Sequence, residues 1–332
     1  MTSEFRGRSG TDHARLCTLS MASINEHELH FGPTEWSLSV VVAVIWGSSF
    51  LWIAIAIDHV QAPVVPLARC VFGGLALCCF PAARRRIDPS DIKLFAVTAL
   101  LWMALPFLLF PIAERTVNTS ITGMINGGLP VVTTLVTAVF TRTMPSARRI
   151  VAVSIGAAGI AMISLSSVGA DAGADAGGIA WLLLALLCYA VAANTARPLQ
   201  AKYGALTSML WLTAFGALWS LPWGLIELPH SDITWSAVGS LVVLGAIGTG
   251  VAFAIYGVLL LHAGPVRGMI GIFFTPVVGL LLGVTVRDDE LHGVAVAGML
   301  VVIGGAMLTS RPEPVRALRP SAVELVTPGQ PG

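Results

Sequence analysis

The sequence predicts an all-α, polytopic membrane protein with ten transmembrane helices in two inverted five-helix repeats. Three observations lead to this prediction: few charged residues, ten apolar segments long enough to cross a bilayer, and matches between the two halves at a nearly constant offset. Of the 332 residues, 11% are charged and 55% are hydrophobic. Soluble domains carry about a quarter charged residues, so most of this surface is expected to face lipid.

The ten apolar segments follow one another with short loops between them. A helix needs about 20 apolar residues to cross the hydrocarbon core, and the candidates are 36–57, 64–80, 94–113, 120–141, 150–165, 178–196, 205–226, 236–261, 269–286 and 291–308. The segments lack the in–out alternation of lipid-facing strands, which favours helices. Within them, Arg69 is the only Asp, Glu, Lys or Arg.

The loops differ sharply in basic residues. Those after the even-numbered spans carry ten, namely Arg84, Arg85, Arg86, Lys93, Arg142, Arg148, Arg149, Arg197, Lys202 and Arg267. The loops after the odd-numbered spans carry only Arg115 and Arg287. Because basic loops stay in the cytoplasm, both termini are predicted to be cytoplasmic and acidic residues such as Asp171 external. The preference for Arg over Lys is typical of a GC-rich bacterial genome, so an inner (cell) membrane location is expected.

An internal repeat is the third observation. The segment from Gly123 through Pro130 recurs from Gly268 through Pro276, and residues 159–164 recur at 304–309, with offsets of 145 or 146 residues. Because the offset equals five helices, an odd number, the second copy is expected to cross the membrane in the opposite orientation, as in many secondary transporters. The predicted organisation is a cytoplasmic tail 1–35, a first repeat 36–165, an external linker 166–177, a second repeat 178–309 and a cytoplasmic tail 310–332.

Several short motifs carry a family resemblance. They are Trp46 to Phe50 in the first span, Pro66 to Arg69 in the second, and Gly248-Thr249 followed by an aromatic stretch in the eighth. With the repeat, the chain resembles the EamA-type branch of the drug/metabolite transporter superfamily. The resemblance implies ten helices, alternating access and a small organic substrate that is often exported. The family's Gly-Glu pair after the fourth and ninth spans is absent here; Arg142-Thr143 and Asp288-Asp289 stand in its place.

Arg69 is the most informative single residue, because an arginine at the centre of a membrane helix costs about 2.5–3.5 kcal/mol on insertion scales. Either it reaches the interface or makes a structural hydrogen bond, or it binds a substrate carboxylate in a cavity. The full set of substrate-binding candidates is Trp46, Ser49, Arg69, Asn126, Asn194, Thr249, Tyr256 and Thr275. Hydroxyls in membrane helices more often bond to their own backbone. Pro130 and Pro276 predict paired helix kinks that either flank a central site or serve packing.

The remaining sequence limits the function classes. The five cysteines have no metal-ligand spacing, and no phosphate loop or nucleophile motif is present, so no cofactor, metal or catalysis is predicted. A net charge of +1 gives no reason to expect nucleic acid. The expected partners are a small-molecule substrate and the lipid bilayer, and a homodimer is left open. The leading hypothesis is a secondary transporter and exporter; the alternatives are a lipid-modifying membrane enzyme and a non-transporting sensor.

Overall fold

The computed structural model describes residues 32–167, 174–259 and 270–310. In this part of the chain the backbone is helical, without β-strands, and an isolated bridge pairs Val117 with Ala174. The all-α prediction is therefore confirmed. Most of the two predicted tails, part of the predicted linker, and the residues Asp171, Arg267, Gly268 and Met269 lie outside the described residues.

The two halves of the chain form similar series of helices. The first half contains α1 (Pro33–Gly47), α2 (Ser49–Ile57), α3 (Val64–Cys78), α4 (Ile92–Ala99), α5 (Leu105–Ala113), α6 (Thr119–Asn126), α7 (Leu129–Thr141) and α8 (Ala147–Ser167). The second half contains α9 (Ala176–Tyr203), α10 (Ala205–Glu227), α11 (Trp235–Val242), α12 (Thr275–Val286) and α13 (Gly293–Ser310). A π-helical turn, Leu100–Ala104, joins α4 to α5, and a second, Val243–Val251, continues α11 as one helical segment to Leu259.

All ten predicted spans coincide with apolar helices. Seven helical segments are long and apolar enough to cross a membrane, and the shorter apolar helices Val64–Cys78, Gly271–Val286 and Gly293–Leu308 match the second, ninth and tenth spans. That all ten helices cross the membrane stays a prediction. Helix α9 ends at Tyr203, beyond the predicted end of the span at residue 196. The prediction stopped early because the last two turns of the helix carry Arg197 and Lys202, and a hydropathy criterion excludes charged residues from a span.

Interruptions of the helices occur at matching places in the two halves. The π turn Leu100–Ala104 corresponds to Val243–Val251, and the break between α6 and α7 corresponds to the 3-10 segment Ile270–Phe274 that precedes α12. Arg142 after α7 and Asp288 after α12 are 146 residues apart, and both have positive φ angles, 51° and 54°. These backbone features follow the same offset as the sequence matches.

Glycines allow helices from different halves to approach closely. A Cβ added to Gly159 in α8 would lie 2.7 Å from the backbone nitrogen of Val302 in α13. Similarly, a Cβ on Gly123 in α6 would lie 3.2 Å from the Cα of Gly279 in α12. Small residues permit such backbone contacts in membrane bundles, where packing rather than hydrophobic burial drives association. The α8–α13 and α6–α12 pairs therefore join the two halves.

One end of the bundle gathers loops that follow odd-numbered spans. Arg287, after α12, pairs with Asp58, after α2, at 2.7 Å. The Gln61 backbone N–H donates to the Ser231 hydroxyl at 3.0 Å, which joins the loop after the first span to the loop after the seventh. We refer to this end as the Arg287 end.

The opposite end gathers loops that follow even-numbered spans. Lys202, in the last turn of α9, pairs with Asp91 at 2.7 Å, and the Thr207 hydroxyl donates to the Ala82 carbonyl at 2.9 Å. These contacts join the loop after the second span to the end of α9 and the start of α10, on either side of the loop after the sixth span. The described loops are thus sorted into two groups in the way that alternating crossings require.

Replacing Arg142 by glycine is expected to stabilise the protein by about 1 kcal/mol, because a left-handed backbone costs a residue with a Cβ roughly 1–2 kcal/mol and glycine is the usual residue after a helix end. Asp288→Gly is expected to give less, since aspartate tolerates this conformation better. Thermal unfolding in detergent measures both changes. Arg142→Ala removes the charge but keeps a Cβ, so an equal gain with Ala would contradict the backbone explanation.

Asp175 is expected to make stability depend on acid pH. The Thr116 hydroxyl and the Gly178 N–H at the start of α9 donate to its carboxylate and hold the pKa of Asp175 below its usual range. This stabilisation is present above the unfolded pKa of about 3.9 and is lost as pH falls through the lower folded pKa. Asp175→Asn keeps a capping oxygen and should melt with less pH dependence between pH 5 and 3. Identical pH profiles would contradict the assignment.

Candidate functional site

Arg69, in α3, lies inside the bundle, and its side chain contacts two other elements. The residue is only 8% exposed. Its Nε donates to the Thr249 hydroxyl, at 3.1 Å, in the π segment of the eighth span, and its Cζ lies 3.9 Å from the centre of the Phe107 ring in α5. The side chain therefore makes one hydrogen bond and one ring contact within the protein.

Aromatic side chains pack together next to Thr249, where the first span meets the eighth span. Trp46, near the end of α1, has its ring centre 5.5 Å from that of Phe253 and 5.2 Å from that of Tyr256. Its indole N–H donates to the Gly248 carbonyl at 3.1 Å. The indole is thus fixed by one hydrogen bond and two ring contacts, all to the eighth span.

Gly248 is the point at which these side chains meet. A Cβ added to it would lie 3.5 Å from the Ser49 hydroxyl and 4.0 Å from Nη2 of Arg69. The structure therefore brings together five candidates, which we call the Arg69 cluster: Trp46, Ser49, Arg69, Thr249 and Tyr256. The Ser49 hydroxyl also donates to the Ile45 carbonyl of its own helix at 3.2 Å, as is common for serine in membrane helices.

The other three candidates do not make hydrogen bonds with this cluster. Asn194 accepts from the Thr137 hydroxyl at 3.1 Å and donates to the Ala190 carbonyl, so it joins α7 to α9. The Thr275 hydroxyl donates to the Ile272 carbonyl at 2.7 Å. The Asn126 side chain, which is partly buried, makes no hydrogen bond with the described residues.

Each predicted kink proline stands in the first turn of a helix that follows an interruption. Pro130 is at the start of α7, and Pro276 is at the start of α12. In this position a proline removes no hydrogen bond that the helix would otherwise make. A Cβ added to Gly127, before α7, would lie 2.5 Å from Cγ of Pro276, so the two interruptions pack against each other across the halves. Whether they flank a substrate is a prediction.

Sequence reasoning missed Phe107, Phe253 and Gly248 as parts of the cluster. An aromatic residue or a glycine inside an apolar span is too common to draw notice on its own. The partners also lie far apart along the chain: Arg69 and Thr249 are separated by 180 residues. The one available signal was the glycine-rich sequence of residues 245–250 next to an aromatic stretch.

A separate cavity of about 430 Å³ opens at the Arg287 end. Its lining includes Glu114, Asn118, Arg287 and Asp289, and none of the substrate-binding candidates. Both carboxylate oxygens of Glu114 are enclosed and have no hydrogen-bond partner, whereas Asp289 accepts from the Ser120 N–H at 2.8 Å. This cavity and the Arg69 cluster are therefore different places.

Comparison with known proteins identifies the chain's family. The EamA-like transporter family model matches twice, at residues 35–165 and 176–311, which together are most of the chain. The chain belongs to the EamA-like transporter family. The two matches nearly coincide with the predicted repeats and confirm the resemblance seen in the sequence.

Individual EamA-like relatives are distant. An "Uncharacterized transporter in trpA 3'region" of Buchnera aphidicola subsp. Schlechtendalia chinensis is 27% identical over 106 residues, which cover 31% of this chain and about a third (35%) of that relative. A solved structure described as "Crystal structure of protein" is 17% identical with a TM-score of 0.54, covering 82% of this chain and 94% of that one. The second likeness concerns the fold alone.

Proposed function

We propose that this EamA-like protein is a secondary transporter that moves a small organic metabolite across the inner membrane of a bacterium by alternating access. The observation that carries the proposal is the Arg69 cluster, which combines a buried cation, hydroxyls and aromatic rings inside an otherwise apolar bundle. Polar groups at this depth are rare and mark substrate pathways in membrane proteins. Trp46, Ser49, Arg69, Thr249 and Tyr256 are proposed to contact the substrate.

The two-fold organisation supports the mechanism. The family model matches twice, and the interruptions and left-handed helix ends recur at the same offset. Contacts between loops also separate odd-numbered from even-numbered loops, as ten alternating crossings would. Inverted repeats place a substrate site between halves that rock against each other. Ten crossings and inversion are part of the proposal.

The charge of the loops supports an orientation. The even-numbered loops hold ten basic residues against two in the odd-numbered loops, so the Arg287 end is proposed to be external and both termini cytoplasmic. We take the direction to be export. Family membership favours transport over a lipid-modifying enzyme.

Flux through purified protein in liposomes tests the proposal. Vesicles are loaded with radiolabelled amino acids, nucleosides or sugars, and efflux is compared with that from protein-free vesicles and with the variant Gly304→Ala, whose added methyl group meets no atom within 4 Å. At least one solute is expected to leave faster in the presence of the wild type and this variant alike. No flux for any solute, together with a lipid-modifying activity, would overturn the proposal.

A further inference from the structure

Glu114, which has no role in the proposed transport site, has a carboxyl group that is buried without a partner. The residue follows α5 and lines the cavity at the Arg287 end. Its two carboxylate oxygens have almost no accessible surface, and neither makes a hydrogen bond with the described residues. An ionised carboxylate removed from water without a donor is very costly, and such groups take up a proton instead. The arrangement therefore fits a neutral, protonated Glu114.

The charges around Glu114 do not offset this burial. Burial has the largest effect and raises the pKa of Glu114 well above its usual range, and the negative charge of Asp289 raises it further. Arg287, from the same segment as Asp289, and Arg69, from α3, lower it but do not cancel the effect of burial. The other charged residues that line the cavity are Arg115 and Asp175. Glu114 therefore holds its proton at pH values at which an exposed glutamate is ionised.

The space around the carboxyl group of Glu114 favours a proton over any other ligand. Its oxygens leave no surface for a metal ion or an organic cation to contact. A metal ion also needs several further ligands, and within the described ranges no group of three or more His, Cys, Asp or Glu side chains could hold one. A proton needs neither space nor further ligands.

The segment after α12 holds the two halves together at the Arg287 end. Arg287 donates to the Asp58 carboxylate at 2.7 Å, and the Asp289 carboxylate accepts from the Ser120 N–H at 2.8 Å. Asp58 follows α2 and Ser120 is in the first turn of α6, so both bonds join the second half to the first. We call this linked arrangement the closed form. Alternating access requires these partners to separate when this end opens.

Both halves also form the wall of the cavity that Glu114 lines, with Asn118 from the first half and Asp289 from the second. Separation of the halves therefore admits water to the carboxyl group, and in water the ionised form is stable. We propose that Glu114 controls the Arg287 end: the protonated side chain favours the closed form, and loss of the proton opens it. This inference rests on the proposed alternating access and adds its regulation by pH.

The direction of the pH dependence follows from linkage. The closed form binds the proton of Glu114 more tightly than the open form, in which a hydrated glutamate has a pKa of about 4.3. Lowering the pH therefore favours the closed form, and this preference is lost as the pH rises through the higher pKa of the enclosed carboxyl group. A single proton changes the ratio of the two forms by at most about tenfold per pH unit.

Labelling of a cysteine placed at Ala54 measures opening. Ala54 lines the cavity but is only 4% exposed in the closed form. Its reaction with a charged methanethiosulfonate is followed for full-length Ala54→Cys in lipid nanodiscs, with the chain lacking this substitution as the blank. Each rate is divided by that of the same protein carrying Glu114→Gln, which cancels the ionisation of the thiol. From about pH 5.5 to about pH 8 this ratio is expected to rise about tenfold or more.

Two further variants separate titration from structure. Glu114→Asp keeps a carboxyl group and should keep a ratio that rises with pH. Glu227→Gln removes a carboxylate at the same end whose side chain is 37% exposed, so the ratio should be unchanged. Every variant is checked for a single peak in size-exclusion chromatography.

Infrared spectroscopy detects the proton itself. At about pH 6, where an exposed glutamate is ionised, the wild type should show the absorption of a protonated carboxylic acid, and Glu114→Gln should lack it. If Glu114→Gln does not fold, the wild-type spectrum decides: this absorption supports the proposal, and its absence contradicts it.

The outcomes distinguish this inference from the transport proposal. A labelling ratio that is constant or falls with rising pH, or an ionised Glu114 at about pH 6, would overturn the control by Glu114. Neither readout depends on flux, so these results leave transport standing. Absence of flux for every solute, with the pH-dependent labelling intact, would remove transport and keep the proton-controlled opening.

Discussion

Gly305→Ala is expected to destabilise the protein by about 1–3 kcal/mol, the range typical of overpacked interiors. Its added Cβ would lie 2.6 Å from the backbone nitrogen of Gly156, 2.7 Å from the Gly156 Cα and 2.9 Å from the Ala152 carbonyl oxygen. All three atoms belong to the backbone of α8, so no side chain can rotate away. The only relief is to separate α13 from α8, which weakens a contact between the two halves.

The neighbouring glycine provides the matched control. Gly304 is exposed and a Cβ added there meets no atom within 4 Å. Gly304→Ala is therefore expected to leave the melting temperature unchanged or to raise it, because alanine is preferred over glycine in helices by up to about 1 kcal/mol. Both variants are compared by thermal unfolding in the same detergent. A loss for Gly304→Ala as large as that for Gly305→Ala would contradict the close approach of α13 to α8.

The ten apolar helices could be predicted from sequence because the information is local. Each span is a continuous run of apolar residues, and the cost of burying a charge in lipid keeps Asp, Glu, Lys and Arg outside it. The helix interruptions were harder to see. The π segment Val243–Val251 and the break at Gly127 lie in sequences whose hydropathy is that of an ordinary span. Hydropathy measures transfer into lipid and contains no information on which backbone hydrogen bond a residue makes.

The site was predictable only in part, for a related reason. Arg69 could be singled out because its burial cost is a property of the residue alone. Thr249 was a candidate as well, but its pairing with Arg69 and the contact of Phe107 could not be foreseen, since the packing of α3 against the eighth span and α5 brings these residues together. Asn194 is the opposite case: an amide inside a span is noticeable from sequence, and in the structure its side chain bonds with Thr137 and a backbone carbonyl instead of the cluster.

The second large effect is expected at Trp46, a partly buried residue whose replacement by alanine should cost about 3 kcal/mol, the lower end of the range for truncating large aromatic residues in protein interiors. The change removes the ring contacts with Phe253 and Tyr256 and leaves the Gly248 carbonyl without its indole donor. Trp46→Phe retains an aromatic ring but not the N–H, so its expected loss is roughly 1 kcal/mol, the usual worth of one hydrogen bond. Thermal unfolding in detergent gives both values, and liposome efflux should fall in the same order.

Trp219 separates the role of the Trp46 site from that of tryptophan in general. Its indole also donates to a backbone carbonyl, that of Ala96 at 2.9 Å, but the residue is 46% exposed at the bundle surface. Trp219→Ala therefore removes the same type of bond with less buried surface and without touching the Arg69 cluster. Efflux should be retained in folded Trp219→Ala and reduced in folded Trp46→Phe, because of these two residues only Trp46 is held against Gly248 within the Arg69 cluster. Equal efflux from these two variants would contradict the proposal that Trp46 contacts the substrate.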